Sequence, residues 1–256
     1  MISATVNGSK PLSFLLDTGY GITTIHPDLV EPLGLKRASQ ITIRGIAGEE
    51  KAPTFSGVIF DFGSATYSPR RVASLPSDAQ GRRRRDGILG AGFFRRFTVE
   101  IDSEKRKLLL HQPDSFRYEG NGEIIPIEFE ADTPIIEATI LSPAGVAVRG
   151  RFEIDTGCDD ALCLGREFVE THRLADDEKT SSGIKRGVGG SARINDGSVP
   201  ELRLGQFTIK KPATSFFADG SPAGDGLAGH IGIDALRHYK VIFDYARKRM
   251  ILEQSR

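Results

Sequence analysis

The chain has 256 residues, of which 39% are hydrophobic and 27% are charged, the composition of an ordinary globular protein. Lysine and arginine together number 34, as do aspartate and glutamate. The net charge of zero therefore provides no global field to attract nucleic acid or an acidic membrane, and no apolar run approaches the roughly 18 residues of a membrane-spanning helix.

The first part of the chain shows patterns typical of half-buried strands. The alternation in "SATV" and the apolar run "LSFLLD" each predict a strand, and the second strand ends in the Asp-Thr-Gly triplet Asp17–Gly19. A short helix is predicted over Pro27–Leu33, because proline occupies its first position and Gly34 follows its end. Further strands are predicted within "FSGVIFDFG" and "ATYSPRRVASL", and a second short helix near Ala91.

The second half of the chain repeats these features in the same order. The Asp-Thr-Gly triplet recurs at Asp155–Gly157, 138 residues after the first copy. "IRGIAGE" is matched by "KRGVGGS", and "GILGAGFFRRFTVEID" by "GHIGIDALRHYKVIFD", each at an offset of 142 residues, while "ISATV" resembles "IEATI". Helices predicted over Arg166–His172 and near Asp234 match those of the first copy. A repeat of this length is too long for a solenoid unit and indicates two homologous lobes.

A turn-rich polar segment separates the two copies. We predict an N-terminal lobe over residues 1–113, a linker over 114–122 and a C-terminal lobe over 123–256. The strand-like segment "EIIPIEFEADTP" has no counterpart before the first copy, so we expect a leading strand upstream of Met1. The N-terminus printed here lacks the features of a secretory signal. The compartment is therefore left unknown, with secretion or a periplasmic location expected if a signal segment precedes Met1.

Each copy places an acid at the end of a strand that otherwise favours burial. A single Asp-Thr-Gly triplet is better interpreted as an ordinary turn, because all three residues are typical of turns and glycine can supply a positive φ. Two copies related by a two-fold axis would instead bring Asp17 and Asp155 face to face. Two carboxyl groups at that distance share one proton, which supplies an acid and a base in one site.

These motifs resemble those of the aspartic proteases of the pepsin/retropepsin group, and the chain is most similar to bacterial two-lobed retropepsin-like proteins. The matching elements are "LLDTG" with "EIDTG", "ILG" with "HIG", and the glycine-rich hairpin tips between them. The resemblance implies an all-β bilobal fold of two β-barrel-like lobes with short helices. It also implies an aspartic-type endopeptidase in which Asp17 and Asp155 activate a water molecule, without covalent intermediate, cofactor or metal. The implied partner is a peptide or protein substrate lying between the lobes of a monomer, with no nucleic acid.

The same resemblance assigns supporting roles. Thr18 and Thr156 would hydrogen-bond across the lobe interface, the alternative being plain turn hydroxyls. Gly19 and Gly157 would let backbone N–H groups approach the carboxylates. The two hairpin tips would form flaps over the cleft, the alternative being ordinary turns. The flap residues are Gly45, Ile46, Ala47 and Gly48 in the first lobe and Gly187, Val188, Gly189 and Gly190 in the second.

Several residues depart from the family pattern. Tyr20 and Cys158 follow the two triplets, where a small residue is usual, and either could impair cleavage. His230 replaces an apolar residue in "HIG" and is predicted to be partly buried and neutral. Cys158 and Cys163 are interpreted as two small buried residues, with a disulfide as the alternative.

Two other functions remain open at this point. One is a catalytically weak or inactive peptide-binding module of the same fold. The other is a phosphoryl-transfer enzyme with Asp155 as nucleophile, which needs no symmetric partner and is disfavoured by the first triplet. The run "GRRRRDG" is interpreted as a solvated loop, and the recurring Asp102 and Asp244 as hairpin-turn residues. The five histidines lack metal-ligand spacing, and no nucleophile-elbow motif is present.

Overall fold

The computed structural model describes residues 1–45, 48–75, 85–176 and 180–254, and these residues are mostly in β-strands, as the sequence predicts. The N-terminal lobe contains a nine-stranded sheet with the order β4-β5-β8-β3-β9-β2-β1-β6-β7. Its strands are β1 (Ile2–Val6), β2 (Leu12–Leu16), β3 (Thr24–Ile25), β4 (Lys36–Gly45), β5 (Gly48–Ser56), β6 (Phe60–Asp61), β7 (Thr66–Tyr67), β8 (Val72–Ser74) and β9 (Gly87–Leu89).

Five strands form a separate sheet that joins the two halves of the chain. They are β10 (Thr98–Asp102), β11 (Lys107–His111), β12 (Glu123–Pro126), β23 (Tyr239–Asp244) and β24 (Arg249–Gln254), in the order β11-β10-β23-β24-β12. Between β11 and β12, residues 112–122 are all described and form neither strand nor helix. The lobe limits at 113 and 123 stay a prediction, because β10 pairs with β23 of the second half and carries β11 into the same sheet.

The C-terminal lobe contains a ten-stranded sheet. Nine of its strands follow the order β17-β18-β21-β16-β22-β15-β14-β19-β20, and the tenth, β13, pairs with β14. The strands are β13 (Glu128–Glu130), β14 (Thr133–Leu141), β15 (Ala147–Asp155), β16 (Leu162–Leu164), β17 (Ser181–Gly187), β18 (Gly190–Ser198), β19 (Glu201–Leu204), β20 (Phe207–Lys210), β21 (Ala213–Phe217) and β22 (Gly229–Gly232).

The two large sheets have the same topology. Each strand of the first sheet occupies the position that its sequence counterpart occupies in the second, from β4 and β17 at one edge to β7 and β20 at the other. In both lobes the strand that leads into Asp-Thr-Gly pairs in parallel with the strand that carries the hydrophobic-hydrophobic-Gly element. The duplication predicted from the sequence is therefore confirmed at the level of strand order.

Within the described residues, three short α-helices accompany the strands: α1 (Ala91–Arg96), α2 (Arg166–His172) and α3 (Ile233–Leu236). They confirm the helices predicted at these places. The helix predicted over Pro27–Leu33 is wrong in extent, since only Pro27–Leu29 forms a single 3₁₀ turn. Pro32 lacks the N–H that a continuing helix would need, so the segment closes in turns instead. None of the described helices is long and apolar enough to cross a membrane.

The strands predicted in "FSGVIFDFG" and "ATYSPRRVASL" are shorter than expected. Gly57 and Gly63 both have positive φ, at 71° and 86°, and these turns reduce the segment between them to β6. Of the arginine run interpreted as a solvated loop, residues 81–84 lie outside the described part of the chain.

Helix α1 anchors the first lobe to the joining sheet through aromatic contacts. The rings of Phe94 and Phe243 meet edge to face with centroids 5.4 Å apart, and Phe94 stacks on Tyr245 at 5.6 Å. Both phenylalanines are fully buried, and such burial contributes roughly 1.5–3 kcal/mol for each side chain. The core is thus continuous across the lobes and fixes their relative position.

The recurring acids of the two hairpins have the structural role predicted for them. Asp102 accepts a hydrogen bond from the backbone N–H of Lys105 at 3.0 Å. Asp244 is fully buried and accepts from Nε of Arg249 at 2.9 Å. Both carboxylates therefore stabilise turns away from the triplets.

Candidate active site

Each Asp-Thr-Gly turn begins where a parallel strand pair ends. In the first lobe β2 runs beside β9, and the backbone N–H of Asp17 donates to the carbonyl of Leu89 at 3.1 Å. In the second lobe β15 runs beside β22 with Asp155 opposite Gly232. The sheets therefore place both acids at equivalent strand ends.

The glycine of each hydrophobic-hydrophobic-Gly element is required by close backbone approach. A Cβ at Gly90 would lie 2.8 Å from the carbonyl oxygen of Ile22, and one at Gly232 would lie 2.7 Å from that of Cys158. These carbonyls belong to the segments that follow the two triplets. A larger residue would push those segments out of place, which explains why glycine recurs at both positions.

Thr18 and Thr156 join the two turns through reciprocal hydrogen bonds. The Thr18 hydroxyl donates to the carbonyl of Ile154 at 2.6 Å, and the Thr156 hydroxyl donates to that of Leu16 at 2.9 Å. Each hydroxyl oxygen also accepts from the backbone N–H of the other threonine, at 3.1 and 3.0 Å. Both side chains are buried, so this network fixes the separation of the turns.

Replacing Thr18 by Val is expected to destabilise the protein by roughly 1–3 kcal/mol for each buried group that loses its partner. Two groups are affected, the carbonyl of Ile154 and the backbone N–H of Thr156. Urea unfolding measures the loss, with Thr208→Val on the exposed face of β20 as the matched control. Equal stability of the two variants would contradict a joining role for the threonine pair.

The turns bring Asp17 and Asp155 into contact. Their carboxyl groups lie within hydrogen-bonding reach of each other; Asp17 is buried, and the side chain of Asp155 is 17% exposed. A Cβ at Gly19 would lie 2.9 Å from Cγ of Asp155, and one at Gly157 would collide with the carboxylate of Asp17. Each glycine also donates its N–H to the aspartate of its own triplet, at 3.0 Å for Gly19 and 2.8 Å for Gly157.

The two aspartates have opposite electrostatic environments. Burial and the neighbouring carboxylate of Asp155 raise the pKa of Asp17 well above its ordinary value. Burial also opposes the charge of Asp155, but contact with His230 outweighs it and lowers the pKa of Asp155. The pair therefore titrates as one unit that retains a proton, with the proton favoured on Asp17 and the charge on Asp155.

A buried ion pair behind Asp155 causes this difference. Nδ1 of His230 lies 3.3 Å from Oδ2 of Asp155, and its Nε2 lies 3.1 Å from Oε2 of Glu153. The second contact is an ion pair rather than an aligned hydrogen bond, since Nε2 has no hydrogen-bond partner among the described residues. Burial disfavours the charged imidazole, yet the two carboxylates outweigh it and raise the pKa of His230 to about 10. The prediction of a neutral His230 is therefore wrong, whereas its burial is confirmed.

Sequence reasoning missed Glu153. In the first lobe the equivalent pair is Leu15 opposite Ile88 on β2 and β9, and in the second it is Glu153 opposite His230 on β15 and β22. The signal was present as two simultaneous departures from the apolar pattern, one in "EIDTG" and one in "HIG". Placing them side by side required the strand register.

The hairpins predicted as flaps reach towards each other. The strands β4 and β5 pair up to Gly45 and Gly48, while Ile46 and Ala47 lie outside the described residues. In the second lobe β17 and β18 pair up to Gly187 and Gly190, with Val188 and Gly189 at the tip.

The two tips are in contact. A Cβ at Gly48 would lie 3.4 Å from the carbonyl oxygen of Gly189, and Val188 packs on a first-lobe cluster that includes Ile43 and Leu75. Glycine at these positions therefore permits close contact between the hairpins.

Tyr20 lies beside the first turn without separating the two carboxyl groups. Its side chain packs against the same cluster, which includes Ile43, Ala52 and Leu75. Burial, together with the charges of Asp17 and Glu50, raises the pKa of Tyr20. The hydroxyl is therefore held protonated beside the aspartate pair.

The comparison with protein families agrees with this arrangement. The model of the family described as aspartyl protease matches residues 2–93 and residues 136–235, one match in each half of the chain. A comparison with curated proteins gave no match. The two matched segments contain both Asp-Thr-Gly turns and cover well over half of the sequence. The chain therefore belongs to the aspartyl protease family.

Proposed function

We propose that the protein is an aspartic-type endopeptidase, in which a water molecule held between Asp17 and Asp155 attacks a peptide carbonyl. The observation that carries the proposal is the contact between two carboxyl groups of opposite electrostatic environment, with Asp17 buried and Asp155 largely shielded from solvent. Such a pair holds one proton across a range of pH, and so contains an acid and a base together.

The environments suggest which aspartate has which role. Asp155, held ionised by His230, takes a proton from the water as its oxygen bonds to the carbonyl carbon. Asp17, held protonated, donates its hydrogen to the carbonyl oxygen and stabilises the charge that develops there. The proton on Asp155 then passes to the amide nitrogen as the carbon–nitrogen bond breaks, and a hydroxyl of the tetrahedral intermediate returns a proton to Asp17 as the new carboxyl group forms. Because water is the nucleophile, no covalent intermediate with the protein forms.

The hairpins support a substrate path between the lobes. Their tips touch each other, so the proposed mechanism requires them to separate before an extended peptide enters and to close again over it. Closure would exclude bulk water and strengthen the electrostatic interactions of the pair. The glycines at the tips, several with positive φ, suit such movement.

The alternative is a peptide-binding module that cleaves poorly. The residues that raised this alternative, Tyr20 and Cys158, both lie to the side of the carboxyl pair and leave its contact intact. This position favours the endopeptidase over the binding module.

Incubation with an unfolded, alkylated polypeptide from acidic to neutral pH tests the proposal. We expect internal cleavage, with one oxygen atom of labelled solvent water in each new carboxyl terminus, measured by mass spectrometry. Peptide binding without cleavage at any pH would favour the binding module. Cleavage that starts from the chain ends would contradict an endopeptidase.

A further inference from the structure

A cluster of four side chains lies beside the Asp155 turn, formed by Cys158, Asp160, Cys163 and Lys185 (the thiol cluster). The sulfur atoms of the two cysteines are 3.0 Å apart, and both cysteines are buried free thiols. Nζ of Lys185 lies 3.2 Å from Sγ of Cys163 and also donates to the Asp160 carboxylate. Asp160 additionally accepts from the Ser215 hydroxyl at 2.6 Å.

The arrangement does not suit a metal ion. The candidate ligand atoms of Cys158, Asp160 and Cys163 lie within 4.8 Å of one another. However, the Lys185 ammonium contacts both Asp160 and Cys163 and so places a positive charge where a cation would bind. The sulfur separation of 3.0 Å is also shorter than the ~3.8 Å that two thiolates span on tetrahedral zinc.

The separation of the two sulfur atoms does suit the formation of a disulfide bond between Cys158 and Cys163. A disulfide bond is about 2.05 Å long, so the two sulfur atoms need to approach by only about 1 Å. We propose that Cys158 and Cys163 form a redox-active dithiol, which a small disulfide compound oxidises to an intramolecular disulfide in the folded protein.

The two cysteines differ in a way that defines their order of reaction. Cys158 is 7% exposed and lies at the end of the Asp155 turn, whereas Cys163 is 1% exposed in the middle of β16. A hydrogen bond from Cys163 lowers the pKa of Cys158 despite burial, with Lys185 adding a smaller contribution. The same bond and burial raise the pKa of Cys163. Cys158 is therefore the attacking thiolate and Cys163 the resolving thiol.

The oxidation proceeds by two successive thiol–disulfide exchange steps. The Cys158 thiolate attacks one sulfur of the small disulfide, forming a mixed disulfide and releasing one small thiolate. Cys163 then loses its proton to solvent and attacks the Cys158 sulfur, releasing the second small thiolate. The protein loses two electrons and two protons, and the small disulfide gains them as two thiols. Lys185 stabilises the Cys163 thiolate that the second step requires.

The dithiol is connected to the surroundings of Asp155. The backbone N–H of Cys158 donates to Oδ1 of Asp155 at 3.2 Å, and Cys163 lies opposite His230 in the pairing of β16 with β22. Lys185 belongs to β17, the first strand of the second hairpin. Oxidation therefore changes the side chains that join this hairpin to the Asp155 turn, whether or not the protein cleaves peptides.

Treatment of the folded protein with oxidised glutathione, followed by alkylation under denaturing conditions, tests the proposal. Peptide mapping is expected to show both cysteines protected from alkylation and joined in one chain, and reduction restores both thiols. This measurement needs no substitution and no activity, so a failure of the proposed peptidase function would leave it unaffected.

Three variants resolve the order of the steps. Cys163→Ser is expected to accumulate a glutathione adduct on Cys158, whereas Cys158→Ser reacts at least about tenfold more slowly. Lys185→Gln is expected to slow closure of the disulfide about tenfold, since the resolving thiolate loses its cation. Lys51→Gln, an exposed lysine of the other hairpin, is the matched control and is expected to react like the wild type.

Three results of the alkylation experiment would overturn the proposal. They are a wild-type protein whose two thiols remain open to alkylation, a stable glutathione adduct in place of the internal bond, and a disulfide between two chains. Stoichiometric zinc bound by the two thiols in the purified protein would also contradict it.

Discussion

Replacement of Asp17 or Asp155 by Asn is expected to lower kcat for peptide-bond cleavage by about 10³-fold or more, because in the proposed mechanism each change removes a group that transfers a proton. Asn has nearly the same shape, so the hydrogen bonds from Gly19 and Gly157 to the side-chain oxygens can persist. The double variant is expected to be little slower than either single variant, since the two aspartates act as one unit. Mass-spectrometric counting of new termini measures all three rates.

The same two variants are expected to differ in stability. Asp17 has a raised pKa in the folded protein, so it destabilises the fold increasingly as the pH rises above the ordinary pKa of aspartate. D17N should therefore be at least as stable as the wild type at neutral pH. Asp155 has a lowered pKa, so its carboxylate stabilises the fold above that ordinary pKa and loses this effect as the pH falls through the lowered value.

D155N removes one of the two carboxylates that contact the buried His230 cation. We expect it to lower the free energy of unfolding by roughly 1.5–3 kcal/mol at neutral pH. Urea unfolding at neutral and acidic pH measures this loss of stability separately from the loss of activity. The exposed Asp225→Asn is the matched control for both measurements. Cleavage that survives D17N at the wild-type rate would remove the aspartate pair from the mechanism.

The architecture was predictable from the sequence because the chain contains it twice. A strand that ends in Asp-Thr-Gly gives little information alone, but its recurrence with the other landmarks in the same order predicts two equivalent lobes. The topology follows from that duplication, with β2 beside β9 and β15 beside β22. The interface between the lobes was harder to predict from the sequence, since the joining sheet combines β10 and β11 with strands from the end of the chain.

The electrostatic environment of the candidate site could not be predicted from these sequence patterns. Glu153 and His230 are 77 positions apart in the sequence, and only the parallel register of β15 and β22 makes them neighbours. Pattern analysis treats the two departures as independent, and an isolated buried histidine is expected to be neutral because burial disfavours its charge. The charge arises from the two carboxylates around it, which a sequence pattern does not place.

The variant E153L/H230I gives the second lobe the apolar pair of the first, Leu15 opposite Ile88. We expect the pH range over which kcat/KM is high to become narrower at both its acidic and its alkaline end. Without the His230 cation the pKa of Asp155 rises, which moves the acidic limb up by roughly one to three pH units. Without the Glu153 charge the pKa of Asp17 falls, which moves the alkaline limb down. Initial rates at low substrate concentration across the pH range measure both limbs.

Stability distinguishes an electrostatic effect from damage to the fold. The single variant His230→Ile leaves Glu153 buried without its cation, and breaking such a pair costs roughly 3–5 kcal/mol. The double variant replaces the whole pair by packed apolar side chains and should recover most of that loss. A double variant that is stable and active with unchanged limbs would contradict the role of His230. The ionised state of Asp155 would then depend on the backbone N–H groups of Gly157 and Cys158, which donate to its carboxylate at 2.8 and 3.2 Å. Among the described residues, the Asp17 carboxylate accepts from one such N–H group, that of Gly19.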